Sequence, residues 1–231
     1  MLEPAGRVIM VSGASRGIGR AVVDRLLAAG FRVSAGVRDA RGLVDGDTLL
    51  VHRYDAESVA SAEAWVRATV ARFGGLHGLV NAAGINPAAP LMEADETPLD
   101  TMWLVNVKAP MRLIRLAMPH LRACGTGRVI NLASLSGKRV RNPNVGYAMT
   151  KFALVALTHA VRREGWDHGM RATAVCPGFV ATSMTAGVTA VTPDAMTQRE
   201  DLAVLVETLL RLPNTAVVAE LLVNCRLEDM L

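Results

Sequence analysis

Ser12-Gly13-Ala14-Ser15-Arg16-Gly17-Ile18-Gly19 is the stretch that decides how the chain folds. It follows a short apolar run, Arg7–Ser12 (RVIMVS). It opens a segment, Gly17–Ala29, in which Ile18, Val22, Leu26 and Leu27 recur at helical spacing before Gly30. The run reads as a buried strand, the segment as a helix, and Gly30 as the residue that ends it. Glycines at 13, 17 and 19 let the backbone turn tightly and approach a ligand. The helix start offers free N–H groups and the positive end of its dipole, which together suit a pyrophosphate. The spacing is G-x-x-x-G-x-G rather than the common dinucleotide pattern G-x-G-x-x-G, and such a turn also serves purely structural ends. Its place, between the first strand and the first helix of an alternating chain, favours the binding reading.

The alternation continues to the far end. Strand-like runs return at Arg32–Val37, Thr48–Tyr54, Leu76–Val80, Arg128–Ala133, Met170–Cys176 and Val217–Val223, with helical patterns at Ser58–Phe73, Pro98–Arg122, Tyr147–Glu164 and Glu200–Leu212. Apolar strands alternating with helices imply an α/β fold, a doubly wound parallel sheet with helices on both faces and right-handed crossovers. Seven strands in the order 3-2-1-4-5-6-7 are expected. One connection breaks the rule: Arg38–Asp47 carries two glycines and little helical periodicity, and reads as a loop where a helix would normally lie.

Composition narrows the function. Among 231 residues, 51% are apolar and 20% charged, enough for a sizeable core and incompatible with disorder. At ~100–200 residues per domain this is one large domain. The 25 basic and 21 acidic residues leave a net charge of +4, with scattered arginines and no basic–aromatic interleaving, which speaks against nucleic-acid binding. Cys124, Cys176 and Cys225 show neither metal-ligand spacing nor a disulfide framework. There is no charged, then hydrophobic leader pattern at the N-terminus and no apolar run of bilayer length, so a cytoplasmic protein without a membrane partner is expected.

Only three basic residues are lysines: Lys108, Lys138 and Lys151. One of them stands four residues after Tyr147 near a helix start, so the two side chains share a face. Ser134 lies thirteen residues before Tyr147, where a strand ends on the carboxyl edge that open α/β sheets use for ligands. A tyrosine of reference pKa ~10 is a poor base at neutral pH, and an adjacent ammonium is expected to lower that value. A serine hydroxyl can hold a carbonyl or alcohol oxygen while the tyrosine exchanges its proton.

Taken together these residues resemble the short-chain dehydrogenase/reductase family over nearly the whole chain. Gly13, Gly17 and Gly19, with Ser15, Arg16 and Ile18 among them, match its cofactor turn, and Ser12 stands where threonine is usual. Asp55 looks like the aspartate that contacts the adenine. Asn81-Ala82-Ala83-Gly84 matches the motif that supports the sheet and lines the adenine ribose. Asn106 resembles the asparagine that holds a proton-relay water near the catalytic lysine. Ser134, Tyr147 and Lys151 match the catalytic residues, Lys151 also holding the nicotinamide ribose. Pro177-Gly178-Phe179-Val180-Ala181-Thr182 matches the segment whose threonine meets the nicotinamide carboxamide, with Pro177, Gly178 and Val180 beside it.

The resemblance implies a single Rossmann-like catalytic domain over residues 1–231, with a small substrate lid at 183–198. It implies reversible hydride transfer between a nicotinamide and a small carbonyl or secondary alcohol compound, and a homodimer or homotetramer. A non-catalytic redox sensor that binds the same cofactor is the alternative. Where NAD-binding members carry an acidic residue at the end of the second strand, this chain has Val37 followed by Arg38, and Arg16 points to the same region. Two guanidiniums there read for NADP over NAD, with Asp39 as the residue that could instead reach the ribose.

Other residues carry less. His52, His77, His120, His159 and His168 form no ligand spacing, so no metal is expected. Cys176 has no histidine placed to activate it and reads as a small buried residue. The run Lys138-Arg139-Val140-Arg141 reads as a solvated loop or, lying between the serine and the tyrosine, as a face that would favour anionic substrates. Met102, Val105, Ala109, Leu113 and Leu116 approximate an apolar stripe for core packing, part of it a subunit contact by resemblance.

Overall fold

In the computed structural model, which describes residues 1–228, seven parallel strands form one sheet: β1 (Val8–Ser12), β2 (Arg32–Val37), β3 (Leu49–Arg53), β4 (Gly78–Asn81), β5 (Arg128–Leu132), β6 (Arg171–Pro177) and β7 (Glu220–Val223). Their order is β3-β2-β1-β4-β5-β6-β7, as expected. The chain reverses its direction of winding between β1 and β4, and the carboxyl ends of the central strands open there onto one edge. The helices are α1 (Gly17–Ala28), α2 (Val59–Phe73), α3 (Thr97–Trp103), α4 (Ala109–Ala123), α5 (Val145–Gly165) and α6 (Arg199–Arg211). Between Val37 and Leu49 the chain is a loop, as its glycines predict.

Alternation within the strands builds two cores. Ile9 and Val11 of β1 face α1 and α6, with Val22, Leu26, Leu202 and Val206. Val8 and Met10 face the other side, with Trp65 of α2 and Leu113, Ala117 and Leu121 of α4. Trp65 is fully buried, and its indole N–H donates to Ser34 Oγ (2.9 Å), which also bonds Thr69 Oγ1 (2.7 Å). Gly36 makes room for it: a Cβ there would fall 2.5 Å from the Trp65 ring.

Two expectations need correction. The helix expected over Pro98–Arg122 is interrupted, with Leu104–Lys108 winding as a π-helical turn between α3 and α4. Pro110 supplies a reason, because it has no N–H to give the carbonyl of Asn106 four residues earlier. The last strand is also shorter than its apolar run: pairing with β6 begins only at Glu220, after a turn around Pro213–Ala216.

Trp65→Ala should lower the free energy of unfolding by about 3–5 kcal/mol, since it empties the centre of one core and removes one of the two hydrogen bonds of the Ser34 hydroxyl. Urea denaturation of the two proteins measures it.

Candidate active site

The glycine turn is built for close approach. Gly13 and Gly17 hold positive φ (+66° and +56°). A Cβ on Gly13 would lie 2.8 Å from the Ala83 backbone, and one on Gly19 would collide with the Gly13 carbonyl. Ser12 locks this approach, its hydroxyl accepting from the N–H groups of Ala82 (3.1 Å) and Ala83 (3.2 Å) after β4. The start of α1 has no side-chain cap, so its first N–H groups stay available. Thr182 comes over the same turn, its Cγ2 3.6 Å from where a Gly17 Cβ would be. An uncapped helix start faced by close-packed glycines fits a pyrophosphate, and exposed arginines at 16 and 38 flank it.

Asp39, beside them, is paired with Arg41, which holds its carboxylate through Nε (3.0 Å) and the backbone N–H (3.3 Å). Asp55 is exposed and accepts from Glu57 N (3.0 Å). Asn81 turns inward instead of toward the cleft. Its Nδ2 donates to Asn131 Oδ1 (2.8 Å), and Asn131 passes on to Thr158 of α5 (2.8 Å), tying three elements through the buried sheet. In the rest of the motif the backbone of Ala82 and Ala83 lies against Gly13, and Gly84 lies beside Asn106 and Lys151.

The carboxyl edge brings Asn106, Ser134, Tyr147 and Lys151 together. Lys151 is only 5% exposed, and its ammonium donates to the Leu132 carbonyl at the end of β5 (2.8 Å). A Cβ on Gly84 would stand 3.4 Å from Asn106 Oδ1 and 3.8 Å from Lys151 Nζ, so the three converge. Asn106, in the π-helical turn, brackets Ile85: Oδ1 accepts from its N–H and Nδ2 donates to its carbonyl, each at 2.9 Å. Ser134 Oγ accepts from Ser136 N (3.0 Å) and leans toward the Pro177 carbonyl (3.4 Å), linking β5 to β6. Val180 pairs with Thr197, closing the base of the segment 183–198 and its two 3-10 turns.

Electrostatics at this edge differ from the expectation. Tyr147 keeps part of its surface open to the cleft, yet burial pushes its pKa up to about 12, and Ser134 draws it back only in part. The ammonium lies 5.5 Å from the ring centroid and does not lower the tyrosine below its ordinary value. Burial instead pushes Lys151 itself down to about 8. Cys176 is fully buried and, mainly by burial, pushed up to about 11, as suits an inert core thiol.

The basic run after Ser134 is neither a free loop nor an open anion face. Lys138 pairs with Glu220 of β7 (2.6 Å), which His159 also contacts (2.7 Å). Arg139 grips Glu228 through two bonds of 2.8 Å, and Arg141 stands 3.5 Å from the same carboxylate. Sequence reasoning missed Glu220 and Glu228 because the partners they meet on α5 and after Ser134 lie far off in the chain, 61 residues for His159 and Glu220 and 89 for Arg139 and Glu228. It also missed Asn144, whose Asn-Pro-Asn setting reads as an ordinary turn.

The chain is similar to known proteins. Residues 7–192 match the family model described as short chain dehydrogenase. The chain is 42% identical over 229 residues to an agropine synthesis reductase of Rhizobium rhizogenes, covering 96% of this chain and 53% of that one. It thus spans about half the length of that relative. Among solved structures, a dehydrogenase/reductase from Sinorhizobium meliloti 1021 superposes with a TM-score of 0.87 at 31% identity, covering 96% and 94% of the two chains. A short chain dehydrogenase from Burkholderia cenocepacia J2315 in complex with NADP gives 0.87 at 26% identity, over 96% and 98%.

Arg139→Ala should destabilise the fold by about 1.5–3 kcal/mol at neutral pH, since it removes two charge-assisted hydrogen bonds from a carboxylate that is 2% exposed and keeps only Asn224 and the more distant Arg141 and Arg226. Burial would raise the Glu228 pKa, but hydrogen bonds from Arg139 and Asn224 outweigh it and hold the group below its ordinary value. A lowered carboxylate pKa contributes stability above the unfolded value of ~4.3 and loses it as pH falls through the folded one. Thermal melts should therefore show the two proteins converging as pH drops below ~4.

Proposed function

The chain belongs to the short-chain dehydrogenase family, and from that premise we propose that it is an NADP-dependent oxidoreductase interconverting a carbonyl and a secondary alcohol, with Tyr147 as acid and base. The observation that carries the reading is the convergence of Ser134, Tyr147 and a buried Lys151 on the carboxyl edge, beside an uncapped helix start. The turn Gly13–Gly19, with Ser15 and Ile18, would hold the pyrophosphate. Asp55 and the backbone of Ala82–Gly84 would border the adenosine, and Pro177, Gly178, Val180 and Thr182 the nicotinamide end. A bound nicotinamide supplies the hydride.

This chain's residues do the rest. In the reducing direction Ser134 Oγ hydrogen-bonds the substrate oxygen and orients the carbonyl. Tyr147, at about 12, keeps its proton across neutral pH and donates it from Oη to that oxygen. The Lys151 ammonium, 5.5 Å from the Tyr147 ring centroid and at about 8 still charged at neutral pH, stabilises the phenolate left behind. Pro110 leaves the Asn106 carbonyl without its helical partner, an acceptor suited to a water that carries protons to Lys151. We assign the substrate cover to residues 183–198, which are largely exposed beyond a base held by Thr197. Exposed Met111, Met149 and Phe152 on α4 and α5 support a homodimer or homotetramer packed through helices.

A panel of ketones, aldehydes and alcohols, read by the absorbance of reduced nicotinamide, tests the activity. Tyr147→Phe should leave NADPH affinity within about twofold and lower kcat by at least ~10³-fold. A variant keeping a tenth of wild-type kcat would end the acid–base reading.

Cofactor preference follows from Arg16 and Arg38. Each offers a planar fork of donors to a 2′-phosphate, and Asp39 is engaged by Arg41. Arg38→Asp should weaken NADPH binding by about 10-fold or more while NADH changes little, read by fluorescence titration. A wild-type kcat/KM higher for NADH than for NADPH would overturn the assignment.

A further inference from the structure

Asn144 immediately precedes α5, and asparagine there ordinarily accepts a free N–H of the helix that follows. Its side chain makes no such bond. Both polar atoms serve the loop between β4 and α3 instead. Oδ1 accepts from Ala89 N (3.0 Å), while Nδ2 donates to the Pro87 carbonyl (2.9 Å) and to Asn86 Oδ1 (2.8 Å). The loop reciprocates: the Ala89 carbonyl accepts from Gly146 N (3.1 Å), one of the N–H groups that a missing cap leaves free. The approach is as close as backbone allows. A Cβ on Gly146 would lie 2.7 Å from the Ala89 Cβ and 3.1 Å from Met102 Cε.

Gly146 is the residue before Tyr147. The same loop is gripped at its other end by Asn106, through both backbone groups of Ile85. Two asparagines from different elements therefore clamp residues 85–89, and the second fixes the first turn of the helix that carries the phenol. From this interlock we infer that Asn144 is a positioning residue for proton transfer. It sets the height of Tyr147 against the loop leading from Gly84, without touching cofactor or substrate. The inference rests on the reading of Tyr147 as the acid–base group.

Asn144→Ala and Asn144→Asp test it, assayed with a carbonyl compound that the wild-type protein reduces. The aspartate keeps an acceptor for Ala89 N but turns the donor atom into a second acceptor facing Pro87 O and Asn86 Oδ1. Ionised, it repels them; protonated, it regains one O–H donor. At about pH 8 both variants should lose ~10–100-fold in kcat, the scale of a misplaced reacting group, with NADPH affinity within about twofold and unfolding midpoints within a few degrees. As pH falls toward ~4 and the carboxylate takes up its proton, Asn144→Asp should recover toward wild type while Asn144→Ala does not. A kcat within threefold of wild type in both variants, alongside an inactive Tyr147→Phe, would overturn this inference alone. So would losses of NADPH affinity as large as those in kcat, or an aspartate variant with no recovery in acid. An active Tyr147→Phe would instead remove the acid–base reading beneath it.

Discussion

A buried ammonium is the constraint around which the carboxyl edge is arranged. Lys151 is 5% exposed and donates to a backbone carbonyl rather than a carboxylate. An unpaired charge in an apolar interior is expensive, and the burial that pushes Lys151 down to about 8 expresses that expense. The Leu132 carbonyl has to be at the end of β5, and α5 has to pack close enough to that end for Nζ to reach it. Displace any of these and the lysine either swings to solvent or loses its proton. The sheet's switch between β1 and β4 sets where this edge opens; the lysine sets how closely the surrounding elements must fit.

The ties that hold the elements in register are mostly neutral. Asn81, Asn131 and Thr158 join β4, β5 and α5 by bonds of 2.8 Å inside the sheet. Ser12 joins the glycine turn to the segment after β4, and Asn106 joins the π-helical turn to Ile85. Such amides and hydroxyls are directional, so they fix register without adding a charge whose field would compete with the ammonium. The strong ion pairs lie further out, at Glu220 and Glu228, where they dock the end of the sheet against the loop after Ser134.

What was legible in the sequence follows from this division. The alternation of strands and helices, both faces of the sheet and the loop at Arg38–Asp47 come from local periodicity and glycine content, which the chain carries residue by residue, whereas the strand order was expected from the family resemblance. Ser134, Tyr147 and Lys151 stood out because their spacing and their place at a strand end and a helix start are also local. The charge balance was not legible. Whether an ammonium lowers a nearby phenol depends on how much water each retains, and here burial raises Tyr147 while it lowers Lys151. Nor could Arg139 and Arg141 reveal that an acid 89 residues from Arg139 would meet them. The π-helical turn did leave a trace: Pro110, four residues after Asn106, removes a helical donor where a continuous helix needs one.

The choice of lysine at 151 is itself an argument about the chemistry. Elsewhere this chain uses arginine, with only three lysines among 25 basic residues. Where a cation must be buried for structure alone, the chain uses Arg128, 2% exposed and bonded to the carbonyls of Gly127 and Leu212 and to Asn214. Burial and the neighbouring Arg7 and Arg171 bring that guanidinium down only to about 10, so it stays charged at any physiological pH. A guanidinium is also a broad planar fork of five donors, whereas Nζ of Lys151 donates to the one carbonyl of Leu132. An ammonium is compact, and the same burial brings it to about 8, within reach of losing a proton. A small cation poised to titrate beside a phenol that holds its proton is what acid–base work on a substrate oxygen requires.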